Sequence, residues 1–167
     1  MCNTGTVTFL NATEQDLAAM LALYNEHIVN TTATFDYEEI GPEEFKSRIS
    51  FGDDRCQTFC AYIGGEWAGF CFLTPFNKKT AYDKTVEIGL YLKRPFTGRG
   101  YGGQIVAQLE SAAKAAHFEM IVASVSGENL PSIKLFKKLG YAQCAHYKQI
   151  AVKFGRKQDI LDFQKAI

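Results

Sequence analysis

The 167-residue sequence predicts one mixed α/β domain, and three features carry that prediction. Residues 58–76, TFCAYIGGEWAGFCFLTPF, are two β-rich runs around Gly64-Gly65, which reads as a hairpin and so as antiparallel pairing. From residue 85 the order becomes strand, glycine loop, amphipathic helix, strand, the succession that gives parallel pairing. Stripes of apolar residues at helical spacing supply layers to cover the sheet. A mixed sheet with helices packed on it follows, and a chain this long buries a core without disulfides or metals.

Taken in order, TVTFLNAT (residues 6–13) alternates like a first strand and runs into Thr13-Glu14-Gln15-Asp16, a capping-box spacing that starts a helix. Leu17, Met20, Leu21, Tyr24 and Ile28 form its buried stripe. NTTATFDYEEI is a polar loop, and Gly41-Pro42 opens a short second helix with Phe45 and Ile49 on one side. After the hairpin, TVEIGLYL (85–92) is a strand, and Ile105, Val106, Leu109, Ala113 and Ala116 mark an amphipathic helix behind the glycines. MIVASVS (120–126) is a buried strand. ENLPSIKLFKKLGY is a short helix with Pro131 near its start, Ile133, Leu135, Phe136 and Leu139 inside it, and Gly140 at its C-terminal cap. The tail from Tyr141 reads as a strand pair, although residues 159–163 suit a helix equally well.

Eighteen basic and eighteen acidic side chains cancel, so no global field draws the protein to nucleic acid or an anionic membrane, and any anion must be held locally. No apolar run reaches the length of a bilayer span, and MCNTGTVTFL lacks the order of a signal peptide, so the chain reads as cytoplasmic. Five cysteines, Cys2, Cys56, Cys60, Cys71 and Cys144, are odd in number and lack zinc-site spacing; they read as reduced structural thiols, with no metal expected. His27, His117 and His146 show no mutual spacing and receive no role.

TGRGYGG, residues 97–103, places four glycines in seven residues. A P-loop needs Lys and then Ser or Thr after its last glycine, and Gln104-Ile105 rule that out. Gly98 to Gly103 satisfies G-x-G-x-x-G by letter, but KRPFT separates it from the strand, and the next strand ends in Ser126-Gly127 without the acid a ribose needs. An acyl-CoA loop, whose backbone N–H groups hold a pyrophosphate at the following helix N-terminus, needs neither acid nor metal. A glycine turn without a ligand also fits the loop by itself.

The wider succession TVEIGLYLKRPFTGRGYGG, helix, strand and ENLPSIKLFKKLGY resembles the GCN5-related N-acetyltransferase (GNAT) family. There the loop is written Q/R-x-x-G-x-G/A, with Thr97 here at the first position, and Asn129, Ser132 and Phe136 match N-x-x-[AS]-x-x-[LY]-[YF]. LYNEHIVNTTATFDYEE and AYDKTVEIGLYL look like the phosphinothricin N-acetyltransferase branch, and that resemblance spans nearly the whole chain. It implies a central, mostly antiparallel mixed sheet flanked by about four helices, over a single domain of residues 1–167. It also implies acetyl-CoA as co-substrate, a small amine acceptor of the phosphinothricin or methionine sulfoximine type, and a homodimer.

Residue by residue, the pyrophosphate cradle falls on Arg99, Gly100, Tyr101, Gly102 and Gly103, acting mainly through backbone N–H groups. Alternation along 85–92 puts Thr85, Glu87, Gly89 and Tyr91 on one face. A carboxylate in a central strand is costly unless paired or useful, and burial raises its proton affinity toward that of a general base; the resemblance points to the same Glu87. It also implies that backbone groups of Leu90, Tyr91 and Leu92, with Asn129 and Ser132, meet the pantetheine arm. Phe136 stands where many relatives have Tyr or His to protonate the departing thiolate, so that proton is expected from water or from another hydroxyl such as Tyr141 or Tyr147. The acceptor pocket is expected from the loop Thr32 to Tyr37 and from residues 77–83, with Phe35, Lys78 and Tyr82 as candidates, and with Lys78 and Lys79 in place of carboxylate-gripping arginines.

Overall fold

A computed structural model describes residues 5–167; Cys2 lies outside them. The strands are β1 (Val7–Asn11), β2 (Thr58–Ile63), β3 (Glu66–Pro75), β4 (Thr85–Leu92), β5 (Met120–Ser126), β6 (Ala142–Lys153) and β7 (Arg156–Ala166). The helices are α1 (Leu17–Asn30), α2 (Pro42–Lys46), α3 (Tyr101–Ala115) and α4 (Leu130–Lys138). One seven-stranded sheet runs β1-β2-β3-β4-β5-β7-β6, and only the β4–β5 neighbours are parallel. The fold is the mixed, mostly antiparallel sheet with four helices that the sequence implied.

Two apolar layers sandwich the sheet. Ile105, Val106, Leu109 and Ala113 of α3 and Phe136 of α4 pack on Leu73, Val86, Ile88, Ile121 and Phe163. Met20, Leu23, Tyr24 and Ile28 of α1 and Phe45 of α2 pack on Cys60 and Phe70 across the other face. Each fully buried side chain of this size stabilises the fold by about 2 kcal/mol. The α1 and α2 layer covers β2 to β4 but not β5 to β7: Ser124 on that face is exposed.

Three local features go beyond the sequence reading or differ from it. Thr13 donates its N–H and its hydroxyl to Asp16 Oδ2 at 2.8 and 3.0 Å, but these bonds close a 3₁₀ turn (Glu14–Asp16) before α1 begins. Residues 159–163 are strand, because Phe163 goes fully into the core and period-two alternation keeps Asp162 and Gln164 out of it. In β3, Gly69 pairs with Ala61 while Trp67 pairs with Tyr62, leaving Ala68 as a bulge residue. Gly69 has φ +153° and lies against the backbone of Tyr91 and Leu92, an approach that excludes a side chain.

Candidate active site

The sheet opens at Glu87. Parallel pairing runs only from Thr85↔Met120 to Glu87↔Val122, after which β4 stays with β3 and β5 stays with β7. Backbone groups of β4 beyond Glu87 that face β5 therefore lack a strand partner, and such groups need another one. A cavity of about 820 Å³ adjoins this gap at the Leu92 end of β4. Leu90, Tyr91 and Leu92 form one wall, Asn129 and Ser132 of α4 another, and Gly100, Tyr101, Gly102 and Gly103 the far end.

The glycine loop is shaped by its dihedrals. Gly98 and Gly100 sit at φ +69° and +87°, the left-handed region that glycine enters freely, and Gly100 caps the N-terminus of α3. The first four N–H groups of that helix have no intrahelical acceptor and carry the positive end of its dipole. Tyr101 is 6% exposed and meets Phe96 edge-on at 6.5 Å, so its ring anchors the loop. A Cβ on Gly102 would stand 2.8 Å from a Leu135 methyl, which lets α3 and α4 approach closely around the cradle. Arg99, in contrast, does not line the cavity; its guanidinium is turned back to the Pro95 carbonyl oxygen at 3.4 Å.

Glu87 lines a second, smaller cavity of about 140 Å³ that shares Ala33, Leu90, Tyr91, Asn129 and Ser132 with the first. Thr74 of β3, which pairs with Glu87, and Ser124 and Ser126 of β5 add hydroxyls, and among the described residues Glu87 is the only charged one lining it. Burial, and secondly the Asp162 carboxylate, push the Glu87 carboxyl above the ordinary carboxylate range.

Phe35, Lys78 and Tyr82 line neither cavity. Lys78 is exposed in the β3–β4 connection, and Tyr82 packs on Phe76 at 5.7 Å. Phe136 does line the Glu87 cavity, 3% exposed and stacked on Phe163 at 6.1 Å. Neither Tyr141 nor Tyr147 reaches either cavity. The Tyr141 phenol lies in the core beside Glu110, its proton affinity raised by burial and then by that carboxylate, and Tyr147 is exposed on edge strand β6.

Several lining residues gave no signal in the sequence. His27 donates from Nε2 to the Leu92 carbonyl oxygen at 3.1 Å, since a carbonyl only accepts, and so ties α1 to the end of β4. Thr31 comes from the end of α1, next to Thr32 and Ala33 of the loop that the sequence did nominate, Phe154 from the β6–β7 turn and Arg156 from the start of β7. That loop is pinned by Asp36, which takes two bonds from Arg48 at 2.6 and 2.9 Å, and the guanidinium holds its carboxyl below the usual range. Thr32 and Ser126 hydroxyls meet at 3.1 Å, and the buried Lys153 ammonium donates to the Thr34 carbonyl oxygen at 2.5 Å. Arg156 pairs with Glu128 at 3.0 Å at the cavity's edge.

Residues 10–161 match the family model described as an acetyltransferase (GNAT) domain. The chain is 28% identical to the phosphinothricin N-acetyltransferase of Streptomyces coelicolor, with all of both chains covered. It is also 28% identical to the L-methionine sulfoximine/L-methionine sulfone acetyltransferase of Pseudomonas aeruginosa, over 89% of this chain and 88% of that one. Among solved structures, the phosphinothricin acetyltransferase of Sinorhizobium meliloti in complex with AcCoA superposes with a TM-score of 0.90 at 26% identity, covering 97% of this chain and 89% of that one. The ribosomal-protein-alanine N-acetyltransferase of Brucella melitensis gives a TM-score of 0.84 at 28% identity, covering 96% and 99%.

Proposed function

The chain belongs to the GNAT acetyltransferase family, and from that membership we propose that it carries the acetyl group of acetyl-CoA to the primary amine of a small, amino-acid-like acceptor by direct attack in a ternary complex. One observation supports this reading most: the β4–β5 pairing ends at the one carboxylate that faces the smaller cavity, and a helix N-terminus suited to a pyrophosphate closes the larger cavity that adjoins it.

The N–H groups from Gly100 to Gly103 bind the pyrophosphate, and the open backbone edge of Leu90 to Leu92 holds the amides of the pantetheine arm beside Asn129 and Ser132. Glu87, directly or through a water, takes a proton from the acceptor ammonium. The freed nitrogen lone pair forms the N–C bond to the thioester carbonyl carbon as the C–S bond breaks; the second proton that the nitrogen sheds passes through water to the thiolate, and Glu87 returns its own proton to solvent. We place the acceptor over Thr74, Glu87 and Ser124 rather than against Phe35, Lys78 and Tyr82, because the former face the cavity.

The substrates for which the two curated relatives are named motivate the amino-acid-like acceptor. Release of CoA thiol from acetyl-CoA, measured across phosphinothricin, methionine sulfoximine, other small amines and peptide N-termini, tests it. Transfer to a peptide N-terminus or to a non-amino-acid amine alone would replace the proposed acceptor. Binding of acetyl-CoA with no transfer to any amine would make the protein an acyl-CoA-binding regulator. We also propose a cytoplasmic homodimer, supported by the exposed Tyr147, Ile150 and Val152 on edge strand β6. Sedimentation at the mass of one chain would contradict it.

A further inference from the structure

Strand register brings a second carboxylate to the acceptor side of Glu87. Glu87 pairs with Val122, and two residues along β5, Ser124 pairs with Asp162 of β7. Paired residues share a face, so Glu87, Ser124 and Asp162 all project from the face of the sheet that α1 and α2 leave open beyond β4. The opposite face at these positions is taken by Ile121, Ala123 and Phe163 in the core. Asp162 is half-buried and forms no ion pair among the described residues.

Other charges near Glu87 are accounted for. From the loop after α1, Asp36 is held by Arg48 and Lys153 by the Thr34 carbonyl oxygen. The residues of β3 and α4 that line the pocket, Phe72, Thr74, Asn129, Ser132 and Phe136, carry no charge, and on β4 Tyr91 is kept neutral by burial. Arg156 is spent on Glu128, and His27 stands at the Leu92 end of the cleft. Asp162 is thus the unpaired charge with a direct electrostatic hold on Glu87.

We propose that Asp162 is a positioning residue for the acceptor: its carboxylate draws the incoming ammonium to the open sheet face beside Glu87 and acts through space on the Glu87 carboxyl. The proposal rests on the reading of Glu87 as the base. Asp162 makes no bond to the acetyl group. Its backbone lies two strand spacings across and two residues along from Glu87, about 12 Å away, a separation at which a charge near a protein surface is still felt. An acceptor amine that keeps its charge on approach gains from this arrangement, and one already neutral does not.

The test separates the two claims. Glu87 is titrated by carboxyl carbon NMR in the unliganded protein, its signal assigned with Glu87→Gln. In Asp162→Asn the Glu87 titration is expected to move to lower pH by roughly half a unit, and Asp162→Glu is expected to restore it. Kinetically, Asp162→Asn should raise KM for the amine about two- to fivefold, leave KM for acetyl-CoA unchanged and move the acidic limb of kcat/KM with the titration. An unmoved Glu87 titration in a folded Asp162→Asn protein overturns the proposal, as does an equal rise in both KM values. Absence of transfer to any amine would sink the enzymatic reading, while the NMR titration would still decide whether Asp162 governs Glu87.

Discussion

Gly69→Ala is the substitution that most directly links the bulge in β3 to the cofactor end of β4. An added Cβ would run into the Tyr91 carbonyl oxygen and stand 2.9 Å from Leu92 Cα and 3.1 Å from Tyr91 C, all backbone atoms that no rotamer change can move aside. The φ of +153° adds strain of its own, about 1 to 3 kcal/mol for a residue with a side chain. Opening the ladder where Gly69 faces Leu92 loses at least one hydrogen bond, worth about 1 kcal/mol. The Lys93 N–H that donates to Ala68 at 2.8 Å sits at the same break and is exposed to loss as well. The total of about 2 to 4 kcal/mol converts, at 2 to 4 °C per kcal/mol for a chain of this size, to a fall in Tm of about 4 to 16 °C. Because Tyr91 and Leu92 also line the larger cavity, affinity for acetyl-CoA by calorimetry should fall in the protein that remains folded. A Tm within 2 °C of the parent's, together with unchanged acetyl-CoA affinity, would refute the account of the bulge as a backbone contact.

Glu87→Gln should lower kcat by about 100-fold or more and abolish the acidic limb of the rate–pH profile. Its stability should move the other way. Burial raises the Glu87 pKa on folding, so the stability it contributes is complete below the unfolded pKa and is lost as pH rises through the folded one. The variant should therefore melt above the parent at pH 8 and not at pH 4, as differential scanning at both values would show. Gly100→Ala forces an alanine to φ +87° at the head of α3; the strain of about 1 to 2 kcal/mol should weaken acetyl-CoA binding about tenfold while leaving KM for the amine in place. Phe136→Tyr restores a hydroxyl beside the Glu87 cavity. If turnover rose by about 100-fold, the scale of general-acid help, thiolate protonation would be the limiting step; we expect less than about tenfold, since a thiolate is a good leaving group and water reaches it.

What the sequence disclosed was what is local in the chain. β4, the glycine loop and the start of α4 each carry their signal within a few residues, and Leu90 to Leu92, Gly100 to Gly103, Asn129 and Ser132 do converge on one cavity. Alternation alone placed Glu87 opposite the core-facing Val86 and Ile88. Arg99 left the cavity because its side chain found the Pro95 carbonyl, a choice no spacing records. Phe35, Lys78 and Tyr82 were nominated from loops, and loop side chains take their direction from tertiary contacts that are absent from the sequence pattern. Tyr141 had the right chemistry and the wrong face: Phe136 and Tyr141 meet edge-on at 5.1 Å, and the phenol beyond that contact points toward Glu110.

The residues that went unread all depend on pairings between distant segments. His27 matters through Leu92, 65 positions away, and Lys153 through Thr34, 119 positions away. Asp162 shows how close such information comes to being legible. The stretch QDILDFQKAI fits a strand or a helix, and only as a strand does the choice of Phe163 for the core send Asp162 to the other face. A slip of one residue against β5 would put Phe163 on the open face and Asp162 into the core beneath α4, burying an unpaired charge and exposing a phenyl ring. Both penalties act in the same direction. The apolar residue that fixes the register of β7 is therefore also what delivers a carboxylate to the acceptor side of Glu87, and a Phe163→Leu variant that keeps the register should keep the Glu87 titration where it is.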